Sequence, residues 1–299
     1  MPDLKRLKEK LRDVMSRLPG GSPYYTKADG LILLEARTER HPTSLVHNPA
    51  LCVVVQGAKW TTFGNQRLDY RSGQAMVVGI EMPGFSQVVE GTDGAPYYSV
   101  IIQLDLAVLR QVYETMSTPP NAMDAPGQGA FVMELDEALF SCVTRMIETL
   151  DEADAVSILY PGLMRELCYW LLRGPHASAF ARMISGTGKA GSLVAVIRQM
   201  REHYASPLRL DHLAAVAGLS PSAFHRKFRA MTSMTPLEYQ KQLRLMEARR
   251  LMIADHVSAE TAAFKVGYAS PSHFSRDYTR RFGGPPRRDI EALRVDDPR

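Results

Sequence analysis

The chain has 299 residues, of which 45% are hydrophobic and 23% are charged. This length and composition allow a sizeable buried core and two domains. The net charge is +4, but it is unevenly distributed: from Ser192 onward 18 Lys and Arg stand against 11 Asp and Glu, which leaves 18 against 21 before that point. A basic C-terminal third on an acidic body is typical of a nucleic-acid-binding module joined to another domain, although chance asymmetry gives the same counts.

Cysteine usage and hydropathy exclude other classes. Cys52, Cys142 and Cys168 are isolated from one another, so neither a disulfide framework nor a C-x-x-C site is expected, and the pattern favours a reducing cytoplasm. No apolar run reaches the roughly 20 residues that a membrane span needs. The sequence also lacks a P-loop, a Rossmann glycine fingerprint and a nucleophile elbow.

The first half of the chain is predicted to contain one helix and then many short strands. Apolar residues at 4, 7, 11, 14 and 18 indicate an amphipathic helix that is too charged for a signal peptide. From Leu31 to about Leu109, short apolar runs alternate with Gly, Pro, Asn and Asp, which is typical of a small barrel or sandwich. The predicted strands are 31–34, 51–55, 59–63, 75–78, 85–89 and 98–102, with a hairpin at Gly64-Asn65 leading to 68–70.

A helical period appears in the middle of the chain, at 131–150 and 158–172, where apolar residues recur on one face. These faces pair two subunits, cover the preceding strands, or do both, and the sequence leaves all of these options open. Residues 174–191 are rich in glycine and other small residues, so they are predicted to form a linker. Leu193 to Tyr204 is predicted to be the next helix.

An internal repeat dominates the C-terminal third. Ser220-Pro-Ser-Ala-Phe-His-Arg-Lys-Phe228 recurs fifty positions later as Ser270-Pro-Ser-His-Phe-Ser-Arg-Asp-Tyr278. Each copy follows an alanine-rich helical run that ends in glycine, Gly218 or Gly267, and each begins with a serine cap and a proline at the first helical position. Each copy is therefore predicted to be a helix-turn-helix, a motif whose second helix enters the DNA major groove.

These residues resemble the AraC/XylS family of bacterial transcription regulators. The first copy ends Ser233-Met-Thr-Pro236, and the run from Arg244 to Leu251 resembles the connecting helix of the family. The second copy ends Gly283-Gly-Pro-Pro286, which is similar to the closing signature of the family. The chain departs from the family pattern at Ser233, where glycine is usual, and at Ala259 and Ala262, where larger aliphatic residues are usual.

The N-terminal half resembles the cupin-like sensor domain of one branch of this family. The residues that carry this resemblance are 47–57, Lys59, Phe63-Gly64, Met82-Pro83 and Pro96-Tyr97. Together the two resemblances imply an α+β chain, in which a small cupin-like β-barrel with flanking helices precedes an all-α domain of two helix-turn-helix units joined by a long helix. The expected division is a sensor and dimerisation domain over 1–173, a linker over 174–191 and a DNA-binding domain over 192–299.

The exposed face of each expected recognition helix carries polar and basic side chains. Arg226 and Arg276 occupy equivalent positions and are expected to read guanine, unless one copy touches only the DNA backbone. Arg229 and Arg280 are expected to contact phosphates. The connecting helix, about 236–254, would be about 28 Å long, close to one DNA turn of about 34 Å. The expected DNA contacts are Ser222, His225, Arg226, Arg229, Ser272, His273, Arg276 and Arg280.

Small barrels can enclose one ligand, with lining side chains that alternate along the strands. The candidates, which are either pocket or ordinary core, are Cys52, Val54 and Gln56 on one strand face and the aromatic residues Trp60, Phe63 and Tyr98. Cys52 is expected to be a buried small hydrophobe and not a reactive thiol. Because no H-x-H pair occurs, His41 and His47 are interpreted as surface or loop residues, and neither a metal nor a cofactor is expected.

The sequence therefore predicts a sequence-specific DNA-binding transcription regulator, an activator as family members often are, whose barrel senses a small molecule. The expected partners are double-stranded operator DNA, a small-molecule effector, RNA polymerase and a second copy of the chain. No enzymatic activity and no membrane association are expected, and the expected location is the cytoplasm. The alternatives are a cupin-type enzyme with a regulatory DNA-binding tail, and a regulator whose barrel binds no ligand and serves only for assembly.

Overall fold

The computed structural model describes residues 4–36, 43–91, 95–122, 127–184 and 189–295. They form two compact units: the first contains the residues up to Ser192 together with Ala230–Ser233, and the second contains Leu193–Arg229 and the residues from Met234 onward.

The first unit is built on two antiparallel sheets. The strands are β1 (Tyr24–Tyr25), β2 (Leu31–Ala36), β3 (Thr43–His47), β4 (Ala50–Gln56), β5 (Ala58–Phe63), β6 (Gln66–Arg71), β7 (Gln74–Val78), β8 (Met82–Glu90), β9 (Tyr97–Gln103) and β10 (Ala130–Glu134). One sheet has the order β1-β2-β9-β4-β7-β10 and the other β3-β8-β5-β6. Phe63 pairs with Gln66, so the predicted hairpin at Gly64-Asn65 is confirmed.

Helices cover the outer face of the larger sheet. They are α1 (Leu4–Arg17), α2 (Leu106–Thr115), α3 (Glu137–Glu148), α4 (Ala153–Arg173) and α5 (Ala177–Ile184). Val53 and Val100 of the sheet share one buried core with Leu7 of α1, Val143 of α3 and Leu167 of α4. Full burial of such a side chain stabilises the fold by about 1.5–3 kcal/mol relative to exposure. Covering the sheet, one of the two options for the central helices, is therefore what the structure shows.

Two predictions for this unit are wrong. Residues 131–134 belong to strand β10, paired with β7, and not to a helix that extends from 131 to 150. A short apolar run of this kind has no period of its own that separates strand from helix. Residues 177–184, predicted to be part of a linker, form helix α5, whose Phe180 and Ile184 lie in the core. The remainder of the predicted linker includes 185–188, which lie outside the described residues.

The second unit is helical. Its helices are α6 (Lys189–Glu202), α7 (Leu210–Val216), α8 (Pro221–Thr232), α9 (Pro236–Ala254), α10 (Ala259–Lys265), α11 (Pro271–Phe282) and α12 (Pro286–Val295). The pairs α7–α8 and α10–α11 are the two predicted helix-turn-helix units. The connecting helix α9 has the predicted bounds, and a capping box between Thr235 and Glu238 begins it. At 19 residues it is about 28 Å long.

The connecting helix also holds the loop that follows α6. Arg244 donates to the backbone carbonyls of Tyr204, Ala205 and Ser206, at 2.8–3.1 Å, and to that of Gly267 in the second turn, at 2.9 Å. Gln240 donates to Tyr204 and Ser206 at 2.9 and 2.7 Å. These carbonyls belong to the loop beyond Glu202, so the two side chains provide hydrogen-bond partners that the loop backbone does not have within a helix or sheet. One arginine therefore ties the start of the unit to its second helix-turn-helix.

Candidate nucleic-acid interface and interior cavity

Helix α8 is anchored by an aromatic stripe. Phe224 and Phe228 are fully buried, with ring centroids 5.5 Å apart, and Phe228 lies 5.5 Å from Tyr239 of the connecting helix. Because these rings fix one face of the helix, the opposite face points to solvent. The predicted DNA contacts of this helix are exposed, except for His225, which is half-buried: Ser222, His225, Arg226 and Arg229.

Helix α11 repeats this arrangement. Phe274 and Tyr278 are fully buried, with ring centroids 5.4 Å apart. Ser270 caps the helix by accepting a hydrogen bond from the backbone N–H of His273. The predicted contacts of this helix, all exposed, are Ser272, His273, Arg276 and Arg280. The structure therefore presents both predicted sets on solvent-facing sides of equivalent helices.

A buried carboxylate, Asp277, lies behind this face and was missed by the sequence reasoning. It is 5% exposed in its side chain, 3.1 Å from the Lys241 ammonium, and it accepts a hydrogen bond from Tyr268 at 3.3 Å. His273 and Arg280 lie 3.8 Å from it. The signal was present, because the equivalent residue of the first copy is Lys227 and a reversal of charge on a basic helix needs a reason. Asp277 links the recognition helix to α9 and lies close to two of its candidate contacts.

A second ion pair fixes the end of α11. Arg249 and Asp289 form a two-point pair at 2.7 and 2.8 Å, with side chains 13% and 12% exposed. Tyr278 donates to the same carboxylate at 2.7 Å, and the Arg249 guanidinium lies 4.5 Å from the centroid of the Phe282 ring. Buried pairs are favourable only when their hydrogen bonds are satisfied, as they are here. The recognition helix is thus held from behind along most of its length.

The two sheets of the first unit enclose a cavity of about 310 Å³. Inward-facing side chains of both sheets line it, and exposed Tyr25 and Leu45 lie at its mouth. The residues that line it include Ile32, Leu34, His47, Cys52, Lys59, Tyr97 and Ile101. Its size is at the lower end of the range for small-molecule pockets.

Of the predicted pocket residues, only Cys52 lines this cavity. Val54 is buried, and Phe63 is buried against His47, with ring centroids 5.2 Å apart. Trp60 lies on the outer face of its strand, 5.9 Å from Phe85 and 4.9 Å from the Arg67 guanidinium. The remaining two, Gln56 and Tyr98, line a separate, more open cleft beside Lys8 and Arg12.

Two of these candidates, Trp60 and Tyr98, are each one residue away from a residue that lines this cavity. Successive side chains of a strand point to opposite faces, so Lys59 and Tyr97 point inward where Trp60 and Tyr98 were expected. Gln56 leaves the face of Cys52 because a β-bulge shifts the register between Val54 and Gln56.

Burial controls the protonation of the groups around the cavity. Burial, with a smaller contribution from the Lys59 charge, lowers the pKa of His47 to about 3. Burial likewise lowers the pKa of Lys59, and it raises the pKa of Cys52. The Cys52 thiol is therefore protonated and unreactive at neutral pH, as expected for a buried hydrophobe. His47 was interpreted as a surface or loop residue, but it lies on β3 and its ring faces the cavity; His41 lies outside the described residues.

The described residues were also compared with the side-chain groups that bind metal ions. Among the described residues, no group of three or more His, Cys, Asp and Glu side chains is placed to hold a metal ion. A search of the same residues for a helix long and apolar enough to cross a bilayer found none.

The fold therefore defines a class of proteins that join a barrel-like unit of two sheets to a double helix-turn-helix unit. A family model for the N-terminus of AraC-type transcriptional regulators matches residues 27–179, just over half of the chain, and a helix-turn-helix domain model matches residues 213–291. The chain belongs to the AraC family of transcriptional regulators.

Similar proteins agree with this assignment. The HTH-type transcriptional activator RhaS of Escherichia coli (strain SE11) is 32% identical over 169 residues, which cover 56% of this chain and 59% of RhaS. The match thus spans less than two thirds of the length of this relative. Two crystal structures of ToxT from Vibrio cholerae strain SCE256 share the fold. The apo form of a variant has a TM-score of 0.54 at 9% identity, over 89% of this chain and 98% of that one. Wild-type ToxT with a bound unsaturated fatty acid has a TM-score of 0.56 at 8% identity, over 87% and 94%.

Proposed function

We propose that this chain is a sequence-specific DNA-binding transcription regulator that reads two neighbouring major grooves with α8 and α11. The observation that carries this proposal is the pairing of Arg226 and Arg276, which are exposed at equivalent positions of two helices whose opposite faces are buried. Neither guanidinium has a hydrogen bond or an ion pair with another described residue. Arginine is suited to two-point hydrogen bonding with guanine, and each good pair contributes about 1–3 kcal/mol of discrimination.

The test replaces the two arginines separately by alanine. The operator is first identified by chromatin profiling of the bound sites. Binding to operator DNA and to random DNA is then measured across a salt series. We expect each variant to lose about tenfold or more in operator affinity and to keep most of its affinity for random DNA.

The control for these variants is Arg250→Ala. This arginine lies in the same unit but is paired with Glu247 at 2.8 Å, so its removal should leave both affinities nearly unchanged. An equal loss on both DNAs with a shallower salt dependence would assign Arg226 or Arg276 to the phosphates instead. Arg229 and Arg280 are expected to show that second behaviour.

The first unit is proposed to sense a small molecule in the cavity between its sheets, and the protein is proposed to have no enzymatic activity. A cupin-type enzyme is the second candidate. Metal analysis of the purified chain tests it, because one tightly bound transition metal per chain, with ligands from the barrel, would support the enzyme. A regulator with a ligand-free barrel is the third candidate, and thermal-shift screening of small metabolites separates it from a sensor.

The further partners are proposed from the family and the surface. Helix α4 exposes the large apolar side chains Ile158 (72%), Leu159 (55%) and Tyr169 (40%), and this face of the helix is proposed to contact a second copy of the chain. The chain is also proposed to act in the cytoplasm and to activate transcription by contacting RNA polymerase. Reporter transcription with and without the chain tests the sign of regulation.

A further inference from the structure

Lys59 places an ammonium group at the wall of a mostly apolar cavity. Its strand β5 directs it inward, between the two sheets. In the described part of the chain, this ammonium makes no hydrogen bond and no ion pair. Glu35 also lines the cavity and has an interaction of its own, whereas the group whose charge affects the pKa of Lys59 is Cys52. An isolated buried charge is unfavourable, so a bound anion that pairs with this ammonium would stabilise it.

A second polar atom in the same cavity also lacks a partner. His47 Nε2 is buried and has no hydrogen bond to any residue that the structure describes. The ring is held in place by Phe63 and by Gly84, where a Cβ atom would lie 2.9 Å from Nε2. His47 and Lys59 both line this cavity, so a ligand inside it lies beside both side chains. A neutral imidazole can donate one hydrogen bond from Nε2.

The remaining lining and the entrance are suited to hydrocarbon. Ile32, Leu34 and Ile101 form apolar walls, and exposed Tyr25 and Leu45 lie at the mouth. At about 30 Å³ per water-sized group, a volume of 310 Å³ holds on the order of ten non-hydrogen atoms. Lys59 is the only Lys or Arg among the described residues that line the cavity, so a second negative charge on a ligand would have no second cation to pair with, and a neutral ligand would leave Lys59 unpaired.

We propose that this cavity binds a small monocarboxylate with an apolar body, whose carboxylate accepts hydrogen bonds from Lys59 and His47. The role of this cavity as an effector site rests on the proposed function, and the monocarboxylate is the class of effector that the cavity would bind. The cation and the carboxylate form a charge-assisted hydrogen bond inside a low-dielectric cavity, where such bonds are strongest.

The test uses the full chain without DNA and measures binding by calorimetry. The probes are octanoate, octan-1-ol and octanamide, which share a chain of eight carbons and differ in the charge of the head group. We expect octanoate to bind at least about tenfold more tightly than either neutral probe. Lys59→Met keeps the apolar stem and removes the charge, so it should abolish this preference and leave octan-1-ol binding in place. Lys27→Met, at an exposed loop position, is the matched control and should bind like the native chain.

Three results would overturn the proposal: octanoate that does not bind, octan-1-ol that binds as tightly as octanoate, or Lys59→Met that keeps the preference for octanoate. If this variant fails to fold in a thermal unfolding control, the comparison of the three probes on the native chain still decides. DNA binding is measured separately. If the chain binds octanoate but not DNA, the proposed ligand class is supported and the proposed regulator is contradicted. If it binds DNA but not octanoate, only the proposed ligand class is contradicted.

Discussion

His47 should make the stability of the first unit depend on pH. Its pKa is about 3 in the folded chain and about 6.5 when unfolded, so between these values the unfolded state binds a proton that the folded state excludes. Stability is therefore fully present above about pH 6.5 and declines as the pH falls towards 3. From pH 7.5 to 5.5 we expect a loss of about 1 kcal/mol in the free energy of unfolding, measured by urea denaturation.

The matched comparison for this loss is His47→Gln, which cannot take up the proton. Its free energy of unfolding should fall by about 1 kcal/mol less over the same pH interval. Every other titratable group is common to both chains, so the difference isolates His47. Equal pH dependence in the two chains would show that the ring takes up a proton as readily in the folded state as in the unfolded state.

Asp277 is expected to be important for the second unit. Replacement by alanine leaves the Lys241 ammonium and the Tyr268 hydroxyl without their shared acceptor, so we expect a loss of about 1–3 kcal/mol in the free energy of unfolding. The equivalent residue of the first copy, Lys227, is exposed, and its replacement should change stability by less than about 0.5 kcal/mol. Urea denaturation of both variants checks the contrast, and similar losses would contradict it.

At the scale of single elements, the two turn glycines differ in their surroundings. Gly218 and Gly267 both have positive φ, at +61° and +86°, as the helix-turn-helix requires. A Cβ atom on Gly267 would lie 2.0 Å from the backbone oxygen of Ala205, whereas one on Gly218 would meet nothing within 4 Å. We expect Gly218→Ala to cost about 1 kcal/mol and Gly267→Ala more than about 3 kcal/mol.

This contrast is measured by thermal unfolding of each variant and by binding to DNA. Both alanines carry the strain of a left-handed backbone, and only the second also displaces the loop that Arg244 holds. Equal destabilisation would mean that the loop near Ala205 moves at little cost. If Gly267→Ala does not lower stability, the turn between α10 and α11 cannot lie as close to the Ala205 backbone as described.

How much of each element could be predicted depended on its local signals. The approximate bounds predicted for the connecting helix are confirmed, and the start of this helix has local signals, because Thr235 caps it with Pro236 at its first position. The face of a strand is a weaker signal, since a single residue separates Lys59 from Trp60 and reverses their roles. The bulge that turns Gln56 away from Cys52 depends on strand pairing, which the sequence does not show directly.

The same reasoning explains the misassigned linker. The stretch 174–191 contains four glycines and several small residues, so its composition is that of a linker. Residues 177–184 nevertheless form a helix, because Phe180 and Ile184 pack in the core of the first unit and the three alanines of this segment favour a helix. Left-handed φ at Ser233, +59°, likewise shows why glycine is usual there in the family, although the side chain is tolerated.

At the scale of the whole molecule, the proposed dimer should make DNA binding depend on the first unit. Two copies joined through that unit place two DNA-binding units on one DNA, which raises their effective local concentration. A fragment of residues 189–299, which keeps all of α6, is therefore expected to be monomeric and to bind DNA about 100-fold or more weakly on a two-site operator. Sedimentation velocity and binding to one-site and two-site DNA measure these quantities.

A variant of the full chain provides the control for this fragment. Ile158→Glu changes an exposed apolar residue of α4, so the fold should be kept while a second copy is repelled. On one-site DNA the fragment, the variant and the native chain should bind alike, because a single DNA-binding unit makes the same contacts in each. On two-site DNA the variant should match the fragment and fall short of the native chain. A dimeric fragment, or a variant that stays dimeric, would move the interface away from α4 and require another surface to link the two copies.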